Sequence, residues 1–89
     1  MKRKIEYSPA FLRQAKKIAK KYPQLKRPYT ELLDKLVQDP FDPSLHTHPL
    51  TGNLKGKYAC SLTYDLRVLF KVSDDTIHLL DIGSHDEVY

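Results

Sequence analysis

Apolar residues recur at helical spacing in the first half of the chain and at alternate positions in the second half. A first helix is predicted between Ser8 and Pro23, because apolar side chains fall on one face there and basic side chains on the other. The apolar positions are Phe11, Leu12, Ala15, Ile18, Ala19 and Tyr22. Ser8 followed by Pro9 is typical of a helix N-terminus, and Pro23 is expected to end the helix.

A second helix is predicted shortly after the first. Its apolar stripe consists of Tyr29, Leu32, Leu33, Leu36 and Val37. Pro28 suits only the first turn of a helix, so its position leaves the start of this helix open. Two amphipathic helices joined by a short proline-containing turn predict a helical hairpin.

The second half of the chain has the pattern of short strands. Residues 39–53 are rich in proline and turn-forming residues and are expected to form a connecting loop. Three strands are predicted after it, at residues 57–64, 67–72 and 76–82. A tight turn at 73–75 makes the last two an antiparallel hairpin, and the final strand is expected to stop at Gly83.

Residues 3–7 also alternate and are expected to form a short strand ahead of the helices. The predicted order is therefore one strand, a two-helix hairpin and a three- to four-stranded antiparallel meander, in a single domain spanning residues 1–89. With the helices packed on one face of the sheet, the fold class is α+β. The opposite face is expected to stay open, and a ligand would lie there.

Composition restricts the class of protein to which this chain can belong. A hydrophobic content of 40% and a charged content of 29% are ordinary for a globular chain. No apolar stretch approaches the ~18 residues of a bilayer span, and the N-terminal segment lacks the features of a secretory signal. The single cysteine, Cys60, fits a cytoplasmic protein and is expected to act as a small apolar residue in a strand.

Charge is distributed unevenly along the chain. Residues 1–30 hold ten Lys and Arg residues against one Glu, a net +9, while the remaining residues carry −5 and the whole chain +4. Such asymmetry indicates a polyanionic partner or an acidic protein partner. The alternative is a helix with one solvated lysine face.

Three motifs resemble, in order and spacing, the RelE/ParE superfamily of toxins from bacterial toxin–antitoxin pairs, and above all its YafQ-like branch. They are "HPLTGNLKGKY" at 48–58, "YDLRVLFKV" at 64–72 and "GSHDEVY" at 83–89. The resemblance implies a ribosome-dependent endoribonuclease that cuts messenger RNA in the ribosomal A site. It also implies contact with ribosomal RNA and an acidic antitoxin as partner. No cofactor is expected, and a metal site at His46 and His48 is disfavoured because no cysteine or carboxylate stands at ligand spacing beside them.

The resemblance assigns chemical roles to five residues. His85 is the expected general acid, and His48 the base or the residue that orients the ribose 2′-OH. Arg67 would grip the scissile phosphate, Asp65 would orient a histidine or transfer a proton, and Tyr89 would stack on a base or assist proton transfer. These roles meet the needs of metal-independent RNA cleavage, which are a base, an acid and a cation.

Four of these roles have a simpler alternative. His85 could be an exposed histidine at a loose terminus. His48 could be a loop histidine held by neighbouring prolines, Arg67 could pair with Asp65 or Asp81, and Asp65 could be only a turn residue. His46 has no counterpart in the motifs and is expected at the surface. Three lysines are further candidates for RNA binding, although they too could be plain surface charge: Lys55, Lys57 and Lys71, of which Lys71 shares the predicted face of Arg67.

The chain also departs from the YafQ-like pattern. Ser61 stands in place of a histidine, Leu66 in place of a tryptophan and Asp81 in place of an arginine. A serine is no base at neutral pH without help, and an aspartate facing RNA repels phosphate. Two alternatives therefore remain beside the nuclease: a ParE-like toxin that inhibits gyrase by binding, and a weakly active or inactive binding module.

Overall fold

The computed structural model describes residues 2–84. Strand β1 (Lys4–Tyr7) leads into helix α1 (Pro9–Lys21), and a 3₁₀ turn at Pro23–Leu25 connects it to helix α2 (Lys26–Gln38). Four strands follow, namely β2 (His48–Pro49), β3 (Tyr58–Ser61), β4 (Leu66–Val72) and β5 (Thr76–Ser84). The predicted α+β class, the helical hairpin and the strand meander are confirmed.

The strands form one five-stranded sheet in the order β1-β5-β4-β3-β2. Strands β2 to β5 pair antiparallel, whereas β1 runs parallel to β5, with Lys4 opposite Thr76 and Tyr7 opposite Leu79. The sheet is therefore mixed rather than purely antiparallel. The expectation of consecutive pairing fails for β1 because the two helices carry the chain across the sheet, so that β1 completes the edge beside β5.

Ser8 ties this edge to the first helix. Its hydroxyl accepts a hydrogen bond from the Phe11 amide at 3.0 Å, which caps α1, and donates one to the Leu80 carbonyl at 2.8 Å. The Ser8 side chain therefore does two things. It accepts from an amide in the first turn of α1 that has no partner inside the helix, and it attaches the helix start to strand β5. The predicted N-cap is confirmed.

The register between β4 and β5 shifts by one residue along the hairpin. Leu69 pairs with Asp81 and Phe70 with Leu79, which leaves Leu80 without a partner on β4. A bulge of this kind resets which side chains face which side of the sheet. Ile77, Leu79 and Ile82 therefore all reach the core, although strict alternation would turn Ile82 to the opposite face.

The core lies between the two helices and one face of the sheet. Phe11 of α1 and Leu36 of α2 are fully buried against sheet residues. The sheet contributes Cys60, Val68, Phe70, Ile77, Leu79 and Ile82. No helix within residues 2–84 is both long and apolar enough to cross a bilayer.

Several predicted boundaries need correction. Strand β3 ends at Ser61. Leu62, just beyond it, still packs against the core as predicted, whereas Tyr64 leaves the alternation and is 91% exposed in the β3–β4 turn. Gly83 does not turn the chain but pairs with Arg67 inside β5. The loop at 39–53 contains the two-residue strand β2, which pairs with β3, and α2 begins at Lys26 with Pro28 in its first turn.

The buried thiol of Cys60 gives a testable consequence of this packing. Burial raises the pKa of Cys60 from 9.0 to about 12, and the nearby Arg67 charge lowers it by a smaller amount. Near pH 8, only about one thiol in ten thousand is then ionised. Iodoacetamide should label the folded protein extremely slowly and the guanidinium-unfolded protein readily, as followed by mass spectrometry.

The same shift sets the sign of a pH effect. The folded state keeps the Cys60 proton between about pH 9 and pH 12, whereas the unfolded chain loses it, so the free energy of unfolding should fall as pH rises through that window. A Cys60→Ala variant should lack this part of the alkaline decline in urea titrations. Rapid labelling of the folded protein would contradict the predicted burial.

Candidate functional site

An open cleft of about 570 Å³ lies at the end of the sheet near the β3–β4 turn. Two histidines, one arginine and several hydroxyl groups border it, and no residue among those lining it in the described chain is acidic. The lining residues are Ser44, His46, His48, Ser61, Leu62, Thr63, Tyr64 and Arg67. We call this the His48–Arg67 cleft; its composition suits an anionic ligand.

Two cross-strand rows form the sheet face on this side. His48, Ala59, Leu69 and Asp81 stand in one row across β2 to β5. Ser61, Arg67 and Gly83 form the next row. The predicted open face is therefore the face that carries both His48 and Arg67, which lie two strands apart, or about 10 Å across the sheet.

Backbone carbonyls fix the Arg67 guanidinium. Its Nη1 donates to the carbonyls of Thr63 at 2.8 Å and Tyr64 at 2.7 Å, with a longer contact of 3.4 Å to that of Leu66. The Nε and Nη2 atoms make no hydrogen bond to any residue from 2 to 84. One nitrogen therefore orients the group while two others keep donors for a ligand.

The β3–β4 turn that supplies these carbonyls is itself held by hydrogen bonds. The Leu62 amide donates to the Leu66 carbonyl at 2.9 Å, and the Leu66 amide donates to the Thr63 hydroxyl at 3.2 Å. Opposite Arg67 on β5 stands Gly83, which adds no side chain to the row. The guanidinium thus has a structured support in the β3–β4 turn, and it borders the cleft.

His48 is positioned by its strand pairing and by its own loop. It pairs with Ala59 across β2 and β3, and its Nδ1 lies 3.3 Å from the His46 carbonyl oxygen. A carbonyl oxygen only accepts, so this contact requires the hydrogen on Nδ1. In the neutral ring the Nε2 atom then carries a lone pair that can take up a proton.

Short hydrogen bonds stabilise the loop that carries the two histidines. The Asp42 carboxylate accepts from the Ser44 amide at 2.9 Å and hydroxyl at 2.6 Å, and these bonds lower the pKa of Asp42. Thr47 donates to the Pro40 carbonyl at 2.6 Å. Phe41 packs edge-on against Tyr58 with ring centroids 5.2 Å apart, which attaches the loop to β3.

Four other predicted site residues lie within the described part of the chain but do not line the cleft. Asp65 is exposed in the β3–β4 turn but is not among the lining residues, and Lys55 and Lys57 lie before β3 outside the cleft. Lys71 is exposed four residues beyond Arg67, about 13 Å further along the strand. His85 and Tyr89 lie outside the described residues.

The structure also places the two possible ion-pair partners of Arg67 and the three residues that depart from the YafQ-like pattern. Arg67 forms no ion pair with Asp65 or Asp81. Within residues 2–84, Arg27 pairs with Glu31, and the His78 ring contacts the Glu6 carboxylate. Asp81 is half-buried on the Arg67 face, where its carboxylate accepts from the Ile82 amide at 2.8 Å. Ser61 is the cross-strand neighbour of Arg67, and Leu66 supports the turn through its backbone.

Five residues that line the cleft were not predicted as site residues, namely Ser44, His46, Leu62, Thr63 and Tyr64. Thr63 and Tyr64 hold Arg67 through carbonyl oxygens, and every residue type has a carbonyl, so no side-chain motif marks them. Ser44 enters the cleft from the 3₁₀ turn at Pro43–Leu45, within a segment read as loop. Residues 61–66 contain no glycine or proline that would mark a turn. The hydrogen bond from the Leu66 amide to the Thr63 hydroxyl, which closes this turn, is visible only in the structure.

A second concavity of about 660 Å³ lies on the helix side of the sheet. It is mainly apolar, with Lys16 and Lys26 among its lining residues, and we call it the helix groove. Its apolar lining comes from Leu12, Ala15, Ile18, Ala19, Tyr22, Pro23, Leu25, Tyr29, Leu62 and Ile82. Leu12 is 51% exposed there. Leu62 borders both the groove and the cleft.

The carbonyl support of Arg67 predicts a measurable local effect. Arg67→Ala removes the bonds to the Thr63 and Tyr64 carbonyls, so the free energy of unfolding should fall by about 1–2 kcal/mol in urea. Amide hydrogen exchange should accelerate at Leu62 and Leu66. Lys71→Ala, an exposed change on the same strand, should alter neither quantity. Equal exchange rates in both variants would contradict the support described here.

Comparison with known proteins connects this geometry to relatives. A metal-bound toxin from Helicobacter pylori is 29% identical with a TM-score of 0.82, and both chains are covered completely. A copper-bound mutant toxin from the same organism is 27% identical with a TM-score of 0.85, again over 100% of both chains. The E. coli DinJ–YafQ toxin–antitoxin complex is 23% identical with a TM-score of 0.81, covering 100% and 99%.

The metal in those relatives has no evident counterpart in the described chain. Residues 2–84 bring together no group of three or more His, Cys, Asp or Glu side chains suited to hold a metal ion.

No curated protein matches the sequence. The sequence profile described as a bacterial toxin of type II toxin–antitoxin systems, YafQ, matches residues 3–89, nearly the whole chain. The chain therefore belongs to the YafQ family of type II toxins.

Proposed function

We propose that this toxin is a ribosome-dependent, metal-independent endoribonuclease that acts on messenger RNA in the cytoplasm. The observation that supports this most is the Arg67 guanidinium, which is anchored through Nη1, keeps its other nitrogens for a ligand and lines the same cleft as His48. A fork of charged N–H donors matches phosphate oxygens and keeps its charge at every pH of interest. The cleft would therefore hold a phosphate and a proton acceptor in one place.

The reaction needs three groups around one phosphodiester. A base removes the proton from the ribose 2′-OH, whose oxygen attacks the adjacent phosphorus. The phosphorane gains negative charge, and an acid protonates the departing 5′-oxygen, leaving a 2′,3′-cyclic phosphate. Positioned acid and base groups each contribute about 10²–10⁴-fold, and fixed cations add stabilisation of similar size.

His48 is the proposed base. Its Nδ1 hydrogen faces the His46 carbonyl, so the lone pair of the neutral ring is on Nε2, the nitrogen that would accept the 2′-OH proton. Arg67 would hold the phosphate about two strands away, and Ser61 lies between them on β3. A serine in that position can donate a hydrogen bond but does not replace a second histidine.

Six further groups belong to the proposal, and two of them, His85 and Tyr89, lie outside the described residues. His85 is the proposed acid and Tyr89 the proposed stacking aromatic at the end of the chain. Asp65 is proposed to orient a histidine or transfer a proton. Lys55, Lys57 and Lys71 would bind the RNA backbone outside the cleft, where their contribution would depend strongly on salt.

Expression in bacteria tests the proposal. The wild-type chain should arrest growth and deplete messenger RNA, and His85→Ala or His48→Gln should relieve both effects, with cleavage on programmed ribosomes falling at least about 100-fold. Arg67→Lys should also reduce cleavage, because one ammonium group lacks the guanidinium fork.

His46→Asn is a matched control. It removes a neighbouring histidine from the cleft, keeps the backbone carbonyl that faces His48, and suits the left-handed conformation at φ 53°. This variant should still cleave. Growth arrest that persists in His85→Ala with DNA breaks and intact transcripts would point to gyrase, and absence of toxicity would leave a binding module.

The same proposal includes an acidic antitoxin as partner, and the helix groove is its proposed docking site. The groove has an apolar lining, and exposed basic side chains surround it on α1, where Arg13, Lys16, Lys17, Lys20 and Lys21 are all exposed. An amphipathic antitoxin helix with acidic flanks complements both properties. The net charge of +9 in residues 1–30 would draw such a partner to this side.

Charge reversal on α1 tests this docking site. Lys16→Glu lies in the groove lining and should weaken binding of the antitoxin encoded beside this toxin by on the order of tenfold or more. Lys17→Glu makes the same change on the next residue, outside the lining, and should have a smaller effect. Calorimetry at two salt concentrations measures both. Equal losses would indicate general charge attraction without docking in the groove.

A further inference from the structure

Tyr64 is exposed far more than an aromatic side chain needs to be. It is 91% exposed, whereas the other large exposed apolar or aromatic residues of the described chain range from 37% to 51%. Aromatic rings normally contribute their large surface to cores or interfaces. Tyr64 contributes nothing to the core, and it borders the His48–Arg67 cleft.

Hydrogen bonds hold the turn that carries Tyr64. The β3–β4 turn is closed by the Leu62–Leu66 backbone bond and by the Thr63 hydroxyl. The Tyr64 carbonyl accepts from the Arg67 guanidinium at 2.7 Å. The ring is therefore mounted on a preorganised support, and a ligand that uses it has little backbone entropy to lose.

We propose that Tyr64 is a stacking platform for an unpaired RNA base next to the phosphate bound by Arg67. The residue joins the two contacts that single-stranded RNA offers, because its backbone holds the phosphate-binding group and its exposed ring offers a flat apolar surface. Aromatic side chains stack on bases with little sequence preference, and a cationic groove tracks the backbone. This inference rests on the proposed action on RNA and adds a specific contact to it.

Charge at the turn agrees with this role. The acidic side chain nearest in sequence, Asp65, is exposed and makes no ion pair with Arg67. A carboxylate beside the ring disfavours phosphate at that point but not a neutral base. The base is therefore expected at the turn tip and the phosphate at the guanidinium.

Ring stacking predicts a defined pattern among variants. Tyr64→Ala should weaken binding of single-stranded RNA by about 5- to 150-fold, the range that corresponds to one stacked base. Tyr64→Phe keeps the ring and should bind within about twofold of the wild type. On programmed ribosomes, the loss in Tyr64→Ala should appear in KM more than in kcat, because stacking acts on bound substrate and transition state alike.

A fluorescence measurement tests the contact directly. The chain contains no tryptophan, so Tyr64→Trp creates a single reporter. The probe is a 2′-O-methyl single-stranded RNA, which cannot undergo attack by its own 2′-oxygen. Its binding should quench the fluorescence of Tyr64→Trp. Tyr7→Trp, at a 43% exposed tyrosine on β1 that packs against Phe11 on the helix side, is the matched control and should change little.

Salt dependence separates stacking from charge. Tyr64→Ala should shift the logarithm of the binding constant by a constant amount at all salt concentrations, whereas Arg67→Ala should reduce its slope against log salt. In a series of RNAs that each lack one base, the wild type should bind more weakly when the base at one particular position is missing. That loss should vanish in Tyr64→Ala, because the partner ring is already gone.

The outcomes distinguish this inference from the proposed function. Unquenched Tyr64→Trp at saturating RNA, or unchanged RNA affinity in Tyr64→Ala, overturns the stacking role even if the wild type cleaves messenger RNA. Failure of the wild type to cleave on ribosomes overturns the nuclease proposal, while quenching by the 2′-O-methyl RNA would still support the stacking contact. Loss of affinity in Tyr64→Phe equal to that in Tyr64→Ala would assign the effect to the hydroxyl and contradict stacking.

Discussion

The bulge at Leu80 determines which residues of β5 face the core and which face the cleft. Without the extra residue, alternation from Leu79 would turn Asp81 toward the helices and Ile82 away from them. A charged side chain would then enter an apolar core at a cost of several kcal/mol. Ser8 donates to the Leu80 carbonyl and also caps α1, so the bulge and the helix start stabilise each other. Both faces of the sheet depend on this arrangement.

The helices and the hairpin were predictable because their apolar periods are unambiguous. Phe11 and Leu36 fall on helical stripes, and the turn at 73–75 separates two runs of β-forming residues. The bulge was not predictable, because β5 contains apolar residues on both possible registers. Parallel pairing of β1 was equally hidden, since four residues carry no information about which strand edge they will join.

The candidate site was predictable in its side chains and unpredictable in its supports. His48 and Arg67 belong to motifs and do reach one cleft. The carbonyls that orient them belong to Tyr64, Thr63 and His46, and a carbonyl group has no signature in the sequence. Tyr64 was also misread as a strand residue, because the alternation that begins at Tyr58 continues through it although the strand ends at Ser61.

Leu62 borders both the helix groove and the His48–Arg67 cleft, and its amide closes the turn that supports Arg67. Because Leu62 is common to both surfaces, a ligand in the groove or in the cleft that displaces Leu62 also changes the affinity of the other surface for its ligand. Linkage is reciprocal: a groove ligand that lowers the affinity of the cleft for its own ligand by some factor must itself be bound more weakly, by the same factor, when the cleft is occupied. If the cleft binds RNA and the groove binds the antitoxin, as proposed, a toxin bound to its substrate would resist its inhibitor without any overlap between the two binding sites.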